Sequence, residues 1–206
     1  LATRGSWEFA DSSFSDLAEK ILASERAFWR DNAIPNYLIT LLPSDDTPGN
    51  YGGTALEDSF ALFMSRNATL DFNTKFLLAH EMFHSWNAGK LGEIRKETPY
   101  WFTEGFTDYY ARLLLLRAGM ISAQEYSRDI DSVYREYLGS PVLHLTGKRA
   151  REQFFEDPNL QRLVYLRGDF LALRWDQLIR QTSGGKESLD TAMRDLFQLA
   201  KRKELV

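Results

Sequence analysis

His80-Glu81-Met82-Phe83-His84 decides how this chain is read. On a helix turning about 100° per residue, positions four apart return to nearly the same face, roughly 6 Å apart along the axis, so both imidazoles reach one ion. Glu81 stands at the edge of that face, placed to take a proton from water rather than to ligate a metal. The bland alternative is a helix that happens to carry two histidines on a polar face. Against it, the chain has only three histidines and two are here. The run Phe76-Leu77-Leu78-Ala79, with Phe83 and Trp86, also marks a largely buried helix that excludes water. Asn73 or Thr74 is expected to cap its start and Gly89 to close its end.

A hydrolytic zinc site needs a third protein ligand and an open fourth position. The metzincin pattern would place Gly at position 87 and His at position 90; the sequence has Asn87 and Lys90, and that reading fails. Downstream, Pro99-Tyr100-Trp101-Phe102-Thr103-Glu104-Gly105-Phe106-Thr107-Asp108-Tyr109-Tyr110 opens a second apolar helix that runs through Leu113 to Leu116 and stops near Gly119. Glu104 and Asp108 are four apart and share a face. Two acids at a helix N-terminus also suit the macrodipole alone. Set among Trp101, Phe102, Phe106, Tyr109 and Tyr110, they read better as a buried ligand and a carboxylate that accepts the free N–H of a ligand histidine.

At 206 residues, 44% hydrophobic and 14% aromatic, the chain has the material for one compact domain over residues 1–206. A net charge of −4 leaves no basic stripe for nucleic acid. No apolar run reaches the length of a membrane span, and no signal-peptide core opens the chain. Because the chain starts at Leu1 rather than Met, excision from a longer multidomain protein with flanking domains, and a removed leader, stay open. The compartment is therefore cytoplasmic or, with a lost leader, periplasmic or secreted. The absence of cysteine rules out a disulfide framework and thiol catalysis.

Periodicity predicts a helix from about Asp16 to Arg30, with Leu17, Ile21 and Phe28 on one face and Ser15 as its cap. Asn36 to Leu42 reads as a buried strand, Pro43 to Asn50 as a turn-rich loop, and Asp58 to Ser65 as another strand. From Asn73 onward the chain reads helical. Ser122 and Glu125 form a capping box for a helix ending near Gly139 and Pro141. A long helix follows Pro158 and stops at Ser183-Gly184-Gly185, and a last one runs from about Ser188 to Lys201. His144 has no ligand spacing and reads as structural or exposed.

These residues resemble the thermolysin-like gluzincin metallopeptidases, whose third ligand is the Glu of an E-x-x-x-D helix, as in Glu104 to Asp108. More narrowly the chain is similar to the glycyl aminopeptidase family, many of whose members carry a PDZ domain. The matching stretches are His80 to Asn87, Glu104 to Gly119 and Tyr165-Leu166-Arg167-Gly168-Asp169-Phe170-Leu171-Ala172-Leu173. Two departures stand out. Residues 85–103, between His84 and Glu104, are fewer than that family usually has. Its Gly-Gly-Leu-Glu-His strand appears as Gly52-Gly53-Thr54-Ala55-Leu56-Glu57-Asp58-Ser59, with two residues inserted and Asp in place of His.

The resemblance implies an α+β fold, a thermolysin-like zincin catalytic domain. In it a small N-terminal β-sheet, with an edge strand along the cleft, precedes a mainly α-helical part. It implies one Zn2+ on His80, His84 and Glu104, Asp108 behind a ligand histidine, Glu81 as general base, and Tyr165, at the head of its helix, as donor to the oxyanion. Gly52 and Gly53 would let a peptide substrate pair with the edge strand, although an ordinary turn explains them equally well. Glu57 would grip the substrate's ammonium. The implied activity is zinc-dependent peptide hydrolysis, first as an aminopeptidase. A thermolysin-type endopeptidase and a non-catalytic peptide-binding module on a peptidase scaffold remain alternatives.

Overall fold

Phe14, Ala18, Ile21, Glu25 and Phe28 recur every three or four residues and are all buried, so the first helix begins at the head of that stripe: α1 spans Asp11–Trp29. It starts five residues before the position expected from sequence. Ser15 lies inside it, and Ala10 caps it without a side-chain hydrogen bond. Arg30, in the left-handed conformation at φ 53, ends it. The computed structural model describes residues 1–33, 36–44, 51–56, 58–91 and 99–203.

The sheet has four strands: β1 (Ala2–Thr3), β2 (Leu38–Pro43), β3 (Tyr51–Leu56) and β4 (Ser59–Met64), in the spatial order β1-β2-β4-β3. β1 and β4 both run parallel to β2, whereas β3 and β4 form an antiparallel hairpin closed by the pair Leu56 and Ser59. Asp58, at φ 55, makes the tight turn. Inward side chains alternate with outward ones, Ile39 and Leu41 on β2 and Phe60, Leu62 and Met64 on β4, and they bury one face against α1 and the next helix. β3, which begins with Tyr51-Gly52-Gly53, is left at the edge.

Among the described residues, the chain after the sheet is mostly helical. α2 (Phe72–His84) and α3 (Phe106–Arg117) pack side by side, followed by α4 (Ala123–Gly139), the short α5 (Gly147–Glu152), α6 (Pro158–Thr182) and α7 (Leu189–Lys201). The Ser122–Glu125 capping box closes at 3.1 and 2.7 Å, and Pro158 occupies the first turn of α6, where its missing N–H costs nothing. A second core joins the ends of α1 and α2 to α3, α6 and α7 through Trp29, Phe83, Trp86, Tyr110 and Phe197, all fully buried. A small sheet followed by a mostly helical part is the architecture expected. No helix among the described residues is long and apolar enough to cross a membrane.

Candidate metal centre

α2 is capped by Asp71, whose side chain accepts the N–H of Thr74 at 3.1 Å, so the cap lies two residues before Asn73. Asn73 and Thr74 fall in the first turn instead. His80 and His84 occupy its last turns, and the chain then widens into a π-helical turn, Ser85–Lys90. Gly89 lies inside this turn and lacks the left-handed conformation of a helix-ending glycine. Asp31, buried just past α1, accepts from Trp86 Nε1 at 2.9 Å and Lys90 Nζ at 2.7 Å and so fastens the turn.

Glu104 sits on a second π-helical turn, Trp101–Gly105, which runs directly into α3. Its Oε2 lies 3.5 Å from His80 Nε2 and 3.4 Å from His84 Nε2, and the two Nε2 atoms are 3.0 Å apart. Among the described residues these three side chains are the only set of three metal-binding types whose donor atoms all lie within 4.8 Å. Donors about 2.0–2.1 Å from a tetrahedral zinc are separated by roughly 3.3–3.4 Å, so the triangle fits that ion. His80 Nδ1 lies 2.8 Å from Asp108 Oδ1, so its Nδ1–H points at the carboxylate and its Nε2 faces His84 and Glu104.

The electrostatics describe a pocket that attracts positive charge. Burial works against a charged His80, but its hydrogen bonds to Asp108 and Glu104 outweigh it and raise its pKa to about 10. Burial also opposes ionisation of Glu104, yet its bonds to His80 and His84 hold it well below the usual carboxylate range. Tyr165 lies two turns into α6 rather than at the head of its helix, with its ring nearly parallel to that of His80 at 6.2 Å. Burial, and the negative charge of Glu104 nearby, push its pKa far up.

Gly53 on β3 faces Glu81: a Cβ there would lie 3.1 Å from both Cδ and Oε1 of that side chain, while one at Gly52 would meet nothing within 4 Å. Glu57 lies outside the described residues. His144 is exposed and apart from this cluster.

Several supports were not singled out from the sequence. Arg112, one turn after Asp108, is 1% exposed; it clamps Asp169 of α6 at 3.1 and 2.9 Å and Asp129 of α4 at 2.6 Å. A charge in the middle of an apolar helix was its signal. Gly105 and Gly168 let the Glu104 turn and α6 touch main chain to main chain, so that no side chain separates them. The spacing of Asn87 after His84 gave no hint that it reaches the Glu104 turn.

The family model of the M61 glycyl aminopeptidases matches residues 73–146. No curated protein matches the chain. The fold superposes on the crystal structure of an aminopeptidase N family protein from Idiomarina loihiensis with a TM-score of 0.81 at 22% identity. That likeness covers 99% of this chain and 39% of the other, so the chain spans about two fifths of that protein's length. Over residues 73–146, the stretch that holds His80, His84, Glu104 and Asp108, the chain is therefore related to the M61 glycyl aminopeptidases, and the gluzincin resemblance of its sequence holds.

Proposed function

We propose that this chain is the catalytic part of a zinc-dependent peptidase of thermolysin-like build, acting as an aminopeptidase on peptides. The convergence of His80 Nε2, His84 Nε2 and Glu104 Oε2 on one point carries this reading. Two imidazoles and a carboxylate make a hydrolytic zinc set that leaves a position open. When bound, zinc supplies Lewis acidity, polarising the peptide carbonyl and making water acidic enough to lose a proton near neutral pH.

The remaining steps fall to the chain's own side chains. Asp108 fixes the His80 ring by accepting a hydrogen bond from its Nδ1–H. Glu81, turned toward β3, takes the proton from the attacking water and passes it to the leaving amine. Tyr165 donates its hydroxyl to the oxyanion that develops on the carbonyl carbon. The edge of β3 pairs with the extended peptide backbone, which Gly52 and Gly53 allow to approach. Removal of N-terminal residues, rather than internal cleavage, is favoured by the family match to glycyl aminopeptidases.

The test is a set of peptides with free and acetylated N-termini, with metal content measured in parallel. One equivalent of zinc, turnover of the free peptides only, and loss of turnover but not zinc in Glu81→Gln are expected. Equal turnover of both sets would make the protein an endopeptidase. Bound zinc without turnover of any peptide would favour a binding module.

A further inference from the structure

We infer that Asn87 is a positioning residue for the third ligand, holding Glu104 at its distance from the histidine pair; this rests on the reading of the cluster as a zinc site. Asn87 belongs to the π-helical turn that follows His84 and is 1% exposed. Its Nδ2 lies 3.0 Å from Phe102 O, 3.3 Å from Thr103 O and 2.9 Å from Thr107 Oγ1. Phe102 and Thr103 are the two residues immediately before Glu104, in the π-helical turn that carries it. Thr107 Oγ1 in turn donates to Thr103 O at 2.6 Å, which closes a triangle around that carbonyl.

A π-helical turn widens the helix by one residue and disturbs the regular i to i−4 ladder, so its carbonyls are freer to take side-chain donors. A primary amide suits the place because it brings two N–H groups and no charge. A lysine would set a cation beside the centre, and a carboxylate would face three oxygens. The two ligand-bearing segments are thus joined by one side chain: moving Asn87 moves the Glu104 turn relative to His84. Outer-shell partners of this kind alter metal affinity by about 10–100-fold.

The experiment measures zinc affinity by chelator competition, the visible spectrum of the cobalt-substituted protein, and the melting of the metal-free protein. Three variants are compared, Asn87→Ala, Thr107→Val and Thr107→Ser. Asn87→Ala is expected to weaken zinc binding about 10–100-fold and to shift the cobalt spectrum. Thr107→Val should change both in the same direction but less, and Thr107→Ser, which keeps the hydroxyl, should restore wild-type values. Wild-type affinity and an unchanged cobalt spectrum in Asn87→Ala, with only a lower melting temperature, would overturn the inference and leave Asn87 as ordinary support. Should Asn87→Ala fail to fold, the threonine pair decides: equal affinity in Thr107→Val and Thr107→Ser overturns it. A wild-type protein that binds no zinc would refute the zinc reading itself, and the inference with it.

Discussion

Gly105 and Gly168 meet backbone to backbone, and a methyl group added to either would collide with the main chain of the other's segment. The contact brings the Glu104 turn and α6 together, so that Tyr165 of α6 feels the negative charge of Glu104. Neither side is a flexible tip that can move away. A Cβ on Gly168 would lie 2.8 Å from Gly105 Cα and collide with the Trp101 carbonyl. Gly168→Ala should therefore cost about 3 kcal/mol or more by denaturant unfolding. Gly147→Ala, with nothing within 4 Å of its Cβ, should cost far less. Similar melting of the two variants would mean that the crossing has slack.

The glycines of β3 give a second contrast. A Cβ at Gly53 meets the end of the flexible Glu81 side chain, which can yield without disturbing the fold. Gly53→Ala should keep zinc and stability but lower kcat by at least about tenfold, because a displaced base loses much of the 10²–10⁴-fold that general-base catalysis contributes. Gly52→Ala should leave stability unchanged, so any rise in its KM reports on the approaching substrate strand. A Gly53→Ala enzyme with wild-type kcat would remove Glu81 from its place under β3.

Tyr165→Phe deletes one hydroxyl and keeps the ring against His80. A donor used mainly in the transition state should lower kcat about a hundredfold or more, some 2.7–4 kcal/mol, with little change in KM. Steady-state kinetics of a zinc-replete Phe variant decides it; a nearly unchanged kcat would pass the oxyanion role to another donor.

Glu25 gives a prediction about stability. It is fully buried in α1, and among the described residues neither carboxylate oxygen has a hydrogen-bond partner. Burial raises its pKa well above the usual value, with the nearby His80 charge opposing. The folded chain thus keeps a proton that the unfolded chain releases above about pH 4–5, so stability falls as pH rises from there toward the folded pKa. Glu25→Met should stabilise by about 1–3 kcal/mol, with a larger gain in Tm at pH 8 than at pH 5. A Tm that drops at both values would point to a polar partner for this carboxyl.

Local signals made much of this legible in advance. The spacing of His80 and His84, the pairing of Glu104 with Asp108, the Ser122–Glu125 box and Pro158 at the start of α6 are all determined within a turn or two of chain. Features set by distant partners were not legible. The two π-helical turns depend on Asp31 and Asn87, each meeting residues far along the sequence. Asp11-Ser12-Ser13 looks like a loop, and only the stripe that starts at Phe14 draws it into α1. Asp71 outcompeted Asn73 and Thr74 as cap because it stands three residues before the N–H it accepts. Glu25 resembles a surface acid until its place on that same stripe is noticed.

Asp31 lies where three distant stretches of the chain converge. It follows α1, holds the turn beyond His84, and has Lys201 Nζ of α7 at 3.6 Å, while the rings of Trp29 and Phe197 pack nearby at a tilt of 59° with centroids 5.3 Å apart. The turn that follows His84 is therefore tied through Asp31 to both the first and the last helix. On the proposed zinc reading, a fragment cut before α7 would keep His80, His84 and Glu104 yet should bind zinc more weakly than the whole chain, because the turn beyond His84 would lose one of its anchors.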